Sequence, residues 1–417
     1  MNNDFVKMSD VIDEISMGPF GSDIKVDNFV DEGVPVLNGA NLLKYKLLED
    51  EFRYVTPEKA KTFKKAIAKK GDVIITHRGT LGQISYIPDD SKHEEYVISQ
   101  SQFKVRLNRD RVNPAFFVYY FHTSEGQKRL LANKCHVGVP ALAQATTNFR
   151  LIQFPLPNLK TQINISKFLL SLDGKIELNN NINDELESMV KILYDYWFVQ
   201  FNFPDENGKP YKTSGGKMVW SEELKREIPI IWKITKLKNL FEFEKGIEPG
   251  STAYLEKSIN NNCLNFIRVG DIDGSSNIFI DGSINNCVIV NSSDVVVTFD
   301  GSVGKVGYGL EGAISGGLRK IYDKSGKLNN GLAYFIFKDK RIIANIHKYA
   351  TGSILLHASG SIEHLAIPYY EKIYLEFQKI VIPFYNKMVL NKKENQKLEE
   401  LRDLLLPMLM NGQVKVN

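Results

Sequence analysis

Long apolar runs are missing from this chain. No stretch of its 417 residues approaches the roughly 20 apolar residues a bilayer span requires, and the opening MNNDFVKMSD lacks the apolar heart of a secretory leader. Cysteine is scarce. Cys135, Cys263 and Cys287 have neither metal-pair spacing nor the density of a disulfide scaffold, which argues against a stapled secreted fold and for a reducing cytoplasm. The seven histidines are scattered, without the short spacings of metal ligands. An excess of one charge is also lacking: 53 Lys and Arg against 49 Asp and Glu leave a net of +4, which permits nucleic acid as a partner without requiring it. These absences leave a soluble intracellular protein, whose 43% hydrophobic content can supply cores for two or three domains.

What is present is repetition. The stretch QINISKFLLSLDGKIELNNNINDELESMVKILYDYWF, from Gln162, matches the C-terminal YLEFQKIVIPFYNKMVLNKKENQKLEELRDLLLPMLM at an offset of 212 (391 minus 179). Lys167 pairs with Lys379, Lys175 with Lys387, Leu178 with Leu390 and Asn179 with Asn391; Asn183, Leu186, Glu187 and Leu193 pair with Asn395, Leu398, Glu399 and Leu405. The match is ungapped, so the chain reads as a duplication. Both copies carry apolar heptads. Ile165, Leu172, Asn179, Leu186 and Leu193 recur every seven residues, with Phe168, Ile182, Met189 and Tyr196 as the second seam position. Phe377, Phe384, Asn391, Leu398 and Leu405 follow suit, with Ile380, Leu401 and Met408. Such heptads predict two long helices paired as a coiled coil, in which Asn179 and Asn391 fix the register. Pro383 should kink the second helix or delay its start.

Each helix follows a globular segment. The first opens with helix-like VKMSDVIDEIS and a turn, MGPFGSD, then runs through strand-like GVPVLNG, GDVIITHRGTLGQISYI and YVISQSQFKVRL. A helix-like PAFFVYYFHTSEGQKRLLANK, a small-residue loop HVGVPALAQATTN and a strand-like RLIQFPLP complete it. The second segment repeats this order at an offset of 222, pairing Asp72 with Asp294, Gly79 with Gly301, Gly82 with Gly304 and Tyr86 with Tyr308. A Gly-, Pro- and Lys-rich connector joins the first helix to the second segment. The fold expected is α+β: two similar mixed α/β domains separated by two long antiparallel helices forming a coiled coil, with a pseudo-two-fold internal repeat. The boundaries expected are 1–157, a helix at 158–201, a linker at 202–230, 231–368, and a helix at 369–417.

No catalytic or metal constellation emerges. GSVGKVG resembles a phosphate loop, but Phe299 stands where its first Gly should be and Val306 where a Ser or Thr should meet magnesium, so a tight turn explains the glycines. Asn113-Pro114-Ala115-Phe116 resembles a methyltransferase loop with a wrong third residue; a Pro starting a helix accounts for it. What remains is binding chemistry in loops: Arg78, Thr80 and Gln83 in the first glycine turn, then Lys134, His136, Gln144, Asn148 and Arg150 around the small-residue loop. Their counterparts are Asp300, Ser302 and Lys305, then Arg319, Lys320, His347, Lys348, Ser353 and His357. Arg, Gln, Asn and Ser can hydrogen-bond base edges, and Lys can neutralise phosphates.

The motifs LDGKIELNNNINDELE with LYDYWFVQF, NKKENQKLEELRDLLLPMLMNGQV, and the connector PDENGKPYKTSGGKMVW resemble those of the specificity subunit of type I restriction–modification systems, over essentially the whole chain. The second helix opening, EKIYLEFQKIVIP, departs from the family's usual Pro-Leu start. The resemblance implies two target-recognition domains, each reading one half of a split double-stranded DNA sequence, held apart by helices of about 60 Å for forty residues. It also implies two methylation subunits docked at the helices and restriction–motor subunits beyond them. The chain itself would need no cofactor; S-adenosylmethionine, ATP and magnesium would sit on the partners. The competing reading is a coiled-coil scaffold whose modules bind proteins or glycans. A stand-alone methyltransferase would have to bind S-adenosylmethionine by itself.

Overall fold

A computed structural model describes residues 5–19, 23–135, 138–259, 262–274, 276–353 and 356–416. The chain divides into two units, Met1–Gly174 with Leu398–Asn417, and Lys175–Lys397. The runs VIIT and VVVT form strands Val73–Thr76 and Val295–Thr298, buried at every residue. A strand covered on both faces reads as a continuous apolar run, so each becomes an inner strand of its sheet.

In the first unit the sheet order is Ile12–Met17, Gln102–Leu107, Val73–Thr76, Ile84–Tyr86, with antiparallel neighbours. A five-stranded sheet, Phe29–Val30, Arg53–Val55, Val34–Val36, Glu95–Val97 and Ile67–Lys69, contains one parallel pairing, Val36 with Val97. In the second unit the antiparallel order is Phe241–Lys245, Leu318–Asp323, Val295–Thr298, Val306–Gly307. Its second sheet again has one parallel pairing, Cys263–Ile267 with Gly312–Ile314. After each set of strands comes a helix buried on nearly every side, Pro114–His122 or Asn330–Phe337. Asn113 caps the first, its Oδ1 accepting from Phe116 N–H with Pro114 at the first helical position, and Asn329 caps the second.

The opening residues depart from expectation. VKMSDVIDEIS is not helical: Phe5–Lys7 and Ile12–Met17 are strands on either side of the single turn Met8–Asp10. Tertiary pairing overrides the local pattern. Ile12–Met17 lies along Gln102–Leu107, where Glu14 meets Lys104 at 2.9 Å and Arg106 at 2.8 Å. The connector has secondary structure of its own. It folds into the second unit through the hairpin Met218–Ser221 with Arg226–Pro229, and Phe203 and Ile228 enter the core.

The long helices span Leu159–Tyr194 and Glu371–Met410, the second continuous through Pro383. One hydrogen bond lost at the proline is outweighed by flanking Val381 and Tyr385, both buried. The first seam position is as read, but the second buried stripe falls four residues after it, not three: Leu169, Ile176, Asn183, Val190 and Trp197 are all buried, whereas Met189 is exposed. At the same spacing the second helix buries Val381, Met388, Asn395 and Leu409, and exposes Ile380 and Leu401.

Within the second unit the two central asparagines are buried, and each donates to the asparagine that lies four residues after the other. Asn179 Nδ2 donates to Asn395 Oδ1 at 2.9 Å, and Asn391 Nδ2 to Asn183 Oδ1 at 2.8 Å. As one position rises by four the partner falls by four, so the helices run antiparallel, and the offset of 212 converts one bond into the other. Asn179 Oδ1 and Asn391 Oδ1 are buried without a hydrogen-bond partner among the described residues.

The ungapped match fails at the helix starts. Gln162 accepts from Asn113 N–H at 2.9 Å and donates to Arg111 O; Gln378 accepts from Asn329 N–H at 2.8 Å and donates to Lys327 O. These anchors correspond at an offset of 216 (378 minus 162). From anchor to central asparagine the first helix therefore counts 17 residues (179 minus 162) and the second 13 (391 minus 378). The difference, four residues, is about one helical turn, so the pairing of Lys167 with Lys379 is not a structural equivalence. Farther along, the 212 offset holds. Tyr194, Trp197 and Phe198 join the second unit's core, while Leu406, Leu409 and Met410, their counterparts, join the first unit's.

Candidate nucleic-acid interface

In each unit a glycine turn links an inner strand to the edge strand beside it, Val73–Thr76 to Ile84–Tyr86 and Val295–Thr298 to Val306–Gly307. Gly79 and Gly82 each have φ of 92°, and Gly301 and Gly304 have 73° and 81°, in the left-handed region that favours glycine. This is why glycine recurs at these positions while the side chains between them diverge. GSVGKVG is thus a strand-to-strand turn, with no helix to present a phosphate site.

The small-residue loop pairs with this turn in the same way twice. Gly79 N–H donates to Pro140 O at 2.9 Å and Leu142 N–H to His77 O at 2.8 Å; Gly301 N–H donates to Leu356 O at 2.9 Å and Ala358 N–H to Phe299 O at 2.7 Å. Between these bonds, Arg78 pairs with Ala141 and Asp300 with His357 as antiparallel bridges. Two loop groups some sixty residues apart in sequence (141 minus 78 is 63, 357 minus 300 is 57) thus meet in one place in each unit.

In the first unit Arg78, Thr80, Lys134 and Gln144 are exposed, and Arg150 is half-buried on the helix Ala145–Leu151. Gln144 begins that helix with a φ of 43°. Asn148 is tied inward, donating to Ala143 O at 2.6 Å. Gln83 is half-buried and engaged at both ends of its amide: Nε2 donates to Gly39 O, and Oε1 accepts from Thr76 Oγ1, each at 3.0 Å. His136 lies outside the described residues.

In the second unit Ser302, Lys305, His347, Lys348, Ser353 and His357 are exposed. Lys305 occupies the position of Gln83 (305 minus 83 is 222) but points outward to pair with Asp273. Lys348 lies over the Tyr349 ring at 5.4 Å. A cleft of about 900 Å³ opens where the turn and loop meet, bordered by Asp300, Ser302, Ser353 and His357, with Lys245 and Glu248 on its rim. Glu248 is held by Gly316 N–H at 2.9 Å. Sequence reasoning missed Lys245 and Glu248, because nothing in the stretch FEKGIEPGS marks it as a neighbour of the glycine turn.

Two candidates serve the core instead. Arg319 is 4% exposed and donates to Gly316 O, Leu318 O and Ser359 Oγ; burial pushes its pKa below the usual guanidinium value. Lys320 pairs with Asp294 at 2.9 Å and donates to Ile289 O at 3.0 Å. Its counterpart is buried Lys104 (320 minus 104 is 216), which donates to Ile67 O at 2.7 Å, and 67 corresponds to 289 at the 222 offset. A lysine at the same position ties two sheets together in each unit, buried as Lys104 and half-buried as Lys320, so Lys320 is structural, and Arg319 is engaged within the core.

Among the described residues no group of three or more His, Cys, Asp or Glu side chains could hold a metal ion, and no helix is long and apolar enough to cross a membrane.

Comparison with known proteins follows the same lines. Residues 21–188 match the family model for the type I restriction modification DNA specificity domain. The chain is 23% identical over 429 aligned residues to the specificity subunit of the type I restriction enzyme MjaIX of Methanocaldococcus jannaschii, covering 99% of this chain and 94% of that protein. It is 23% identical to the HindI specificity subunit of Haemophilus influenzae, covering 96% of this chain and 99% of the relative. Among solved structures, the S subunit of a type I restriction–modification system from M. genitalium shares the fold, with a TM-score of 0.55 at 15% identity over 98% of this chain and 96% of that one.

Proposed function

We propose that this chain, which belongs to the type I restriction–modification DNA specificity family, is the addressing subunit of its complex, with each unit reading one half of a split double-stranded DNA target. The observation that carries this reading is the duplicated meeting of glycine turn and small-residue loop, with one backbone ladder and different exposed side chains in each unit. A frame that stays constant while its side chains change is what two readers of different sequences need. Exposed Lys134, Lys305 and Lys348 suit phosphates, while Arg78, Gln144 and the Asp300–His357 pair can address base edges.

Methylation chemistry belongs to partners in this reading. Two methylation subunits dock at the long helices, bind S-adenosylmethionine and flip an adenine in each half-site. Restriction–motor subunits bind ATP and magnesium. The chain is a non-catalytic component, and the assembly works in the cytoplasm. The helices, 36 and 40 residues long, give rods of about 54 and 60 Å, a scale that fits half-sites about one helical turn of DNA apart.

The test is a methylation map of a methylation-free bacterial host carrying this gene with its neighbouring methylation-subunit gene. A single split motif, modified in both halves, is the expected result. Unmodified DNA from a host in which both proteins are soluble and associated would refute the addressing role and favour a scaffold that binds protein or glycan.

A further inference from the structure

One position of the glycine turn lies beside the small-residue loop in each unit, exposed as Arg78 and half-buried as Asp300, and the two units fill it with opposite chemistry. Arg78 bridges to Ala141 and Asp300 to His357. The offset that equates these positions (300 minus 78 is 222) also equates Thr80 with Ser302, so a hydroxyl is kept two residues away while the charge is reversed. His357 Nδ1–H donates to Asp300 Oδ1 at 2.7 Å, since a carboxylate can only accept. That contact orients an imidazole that is 58% exposed and leaves the carboxylate, an acceptor-only group, with lone pairs beyond the one His357 fills. Asp300 and His357 both border the second unit's cleft.

Resting on the DNA-reading role proposed above, the geometry points to this position as a selector of opposite base chemistries. Arg78 offers paired donors, which match the N7 and O6 acceptors of guanine in the major groove. The Asp300 carboxylate, oriented by His357, offers acceptors, which match the exocyclic amino group of adenine or cytosine. The neighbouring hydroxyls, Thr80 and Ser302, suit a role common to both units, such as a phosphate contact that positions the turn.

The experiment uses the full chain with its methylation partner and compares methylation maps of wild type, Arg78→Ala and Asp300→Asn. Wild type should require guanine at one position of one half-site, and adenine or cytosine at one position of the other. Arg78→Ala should relax the guanine position by about tenfold or more and leave the other half intact. Asp300→Asn, nearly isosteric but with an amide donor, should relax only the amino-base position in the opposite half. An unchanged motif in an active variant, or both variants altering the same half, overturns the assignment. Should Asp300→Asn methylate nothing, His357→Ala must relax that position, and undiminished discrimination there also overturns it. A wild-type map without any split motif defeats the DNA-reading role itself, so the two failures are distinguishable.

Discussion

A few residues hold each unit's frame so tightly that their replacement has a calculable consequence. A Cβ on Gly18 would lie 1.9 Å from Ser99 O, and one on Gly246 would lie 2.3 Å from Ile314 O and Ser315 O. Gly18→Ala and Gly246→Ala should each cost about 3 kcal/mol, the upper range for overpacking, read as a fall in the urea midpoint; an unchanged midpoint would show that the backbone there can yield. A second prediction concerns pH. His122 donates through Nε2 to Ile84 O at 2.8 Å, and burial holds its pKa below the usual 6.5. The unfolded chain therefore binds more protons below that value, so His122 lowers stability as pH falls beneath about 6.5 and has no effect above it. His122→Gln should flatten that part of the stability profile, and an equally steep loss would place its origin elsewhere. Residue roles were only partly legible beforehand. The recurring glycines announced a turn because φ restricts the residue type. Lys320 and Arg319 looked like ligands because a sequence shows a charge but not its partner, and Asp294, Ile289 and Ser359 lie 26 to 40 positions away (320 minus 294, 359 minus 319).

Among the elements, the long helices were the most legible, since heptads survive any tertiary context. Asn179 and Asn391 were visible as polar interruptions of the seam, but their partners, Asn395 and Asn183, emerge only from the antiparallel register. The second stripe was misplaced by one residue because Phe168, Ile182 and Tyr196 are apolar and lie beside the seam without being its buried line. The one-turn difference between the anchors Gln162 and Gln378 was hidden, because four residues rotate a helix by only about 40° beyond a full turn and leave the apolar face nearly in phase. Asn391→Ala removes the donor to buried Asn183 Oδ1 and should cost about 1–3 kcal/mol. Replacing Asn183 and Asn391 together by Leu should cost less than that single change, because the buried Asn183 Oδ1 is removed along with its donor. Urea unfolding of both variants decides this; a double variant that loses more than the single would show that packing, not the hydrogen bond, dominates here. If the helices set the distance between half-sites, one heptad added to each lengthens them by about 10 Å and should widen the unmodified gap in the methylation motif. A constant gap would remove them as the ruler.

At the scale of the whole molecule, duplication explains why one chain contains two units of the same plan. Each unit closes its core with the start of its own long helix and the end of the other: Leu169 with Leu409 in the first, Phe377 with Trp197 in the second. The tail Leu398–Asn417 consequently belongs to the unit that begins the chain, which no boundary drawn along the sequence could express. The recurring plan was legible from offsets, while the bases addressed were not, since they depend on exposed side chains whose neighbours are set by the fold. The central claim is that the two units read independently. It is tested most directly by exchanging residues 231–368 for the corresponding segment of the HindI specificity subunit of Haemophilus influenzae, keeping both helices, and mapping methylated sites in a methylation-free host with the methylation subunit present. The account predicts a new sequence in one half of the motif, with the other half and the gap between them retained. A motif altered in both halves, or unaltered in both, would contradict it.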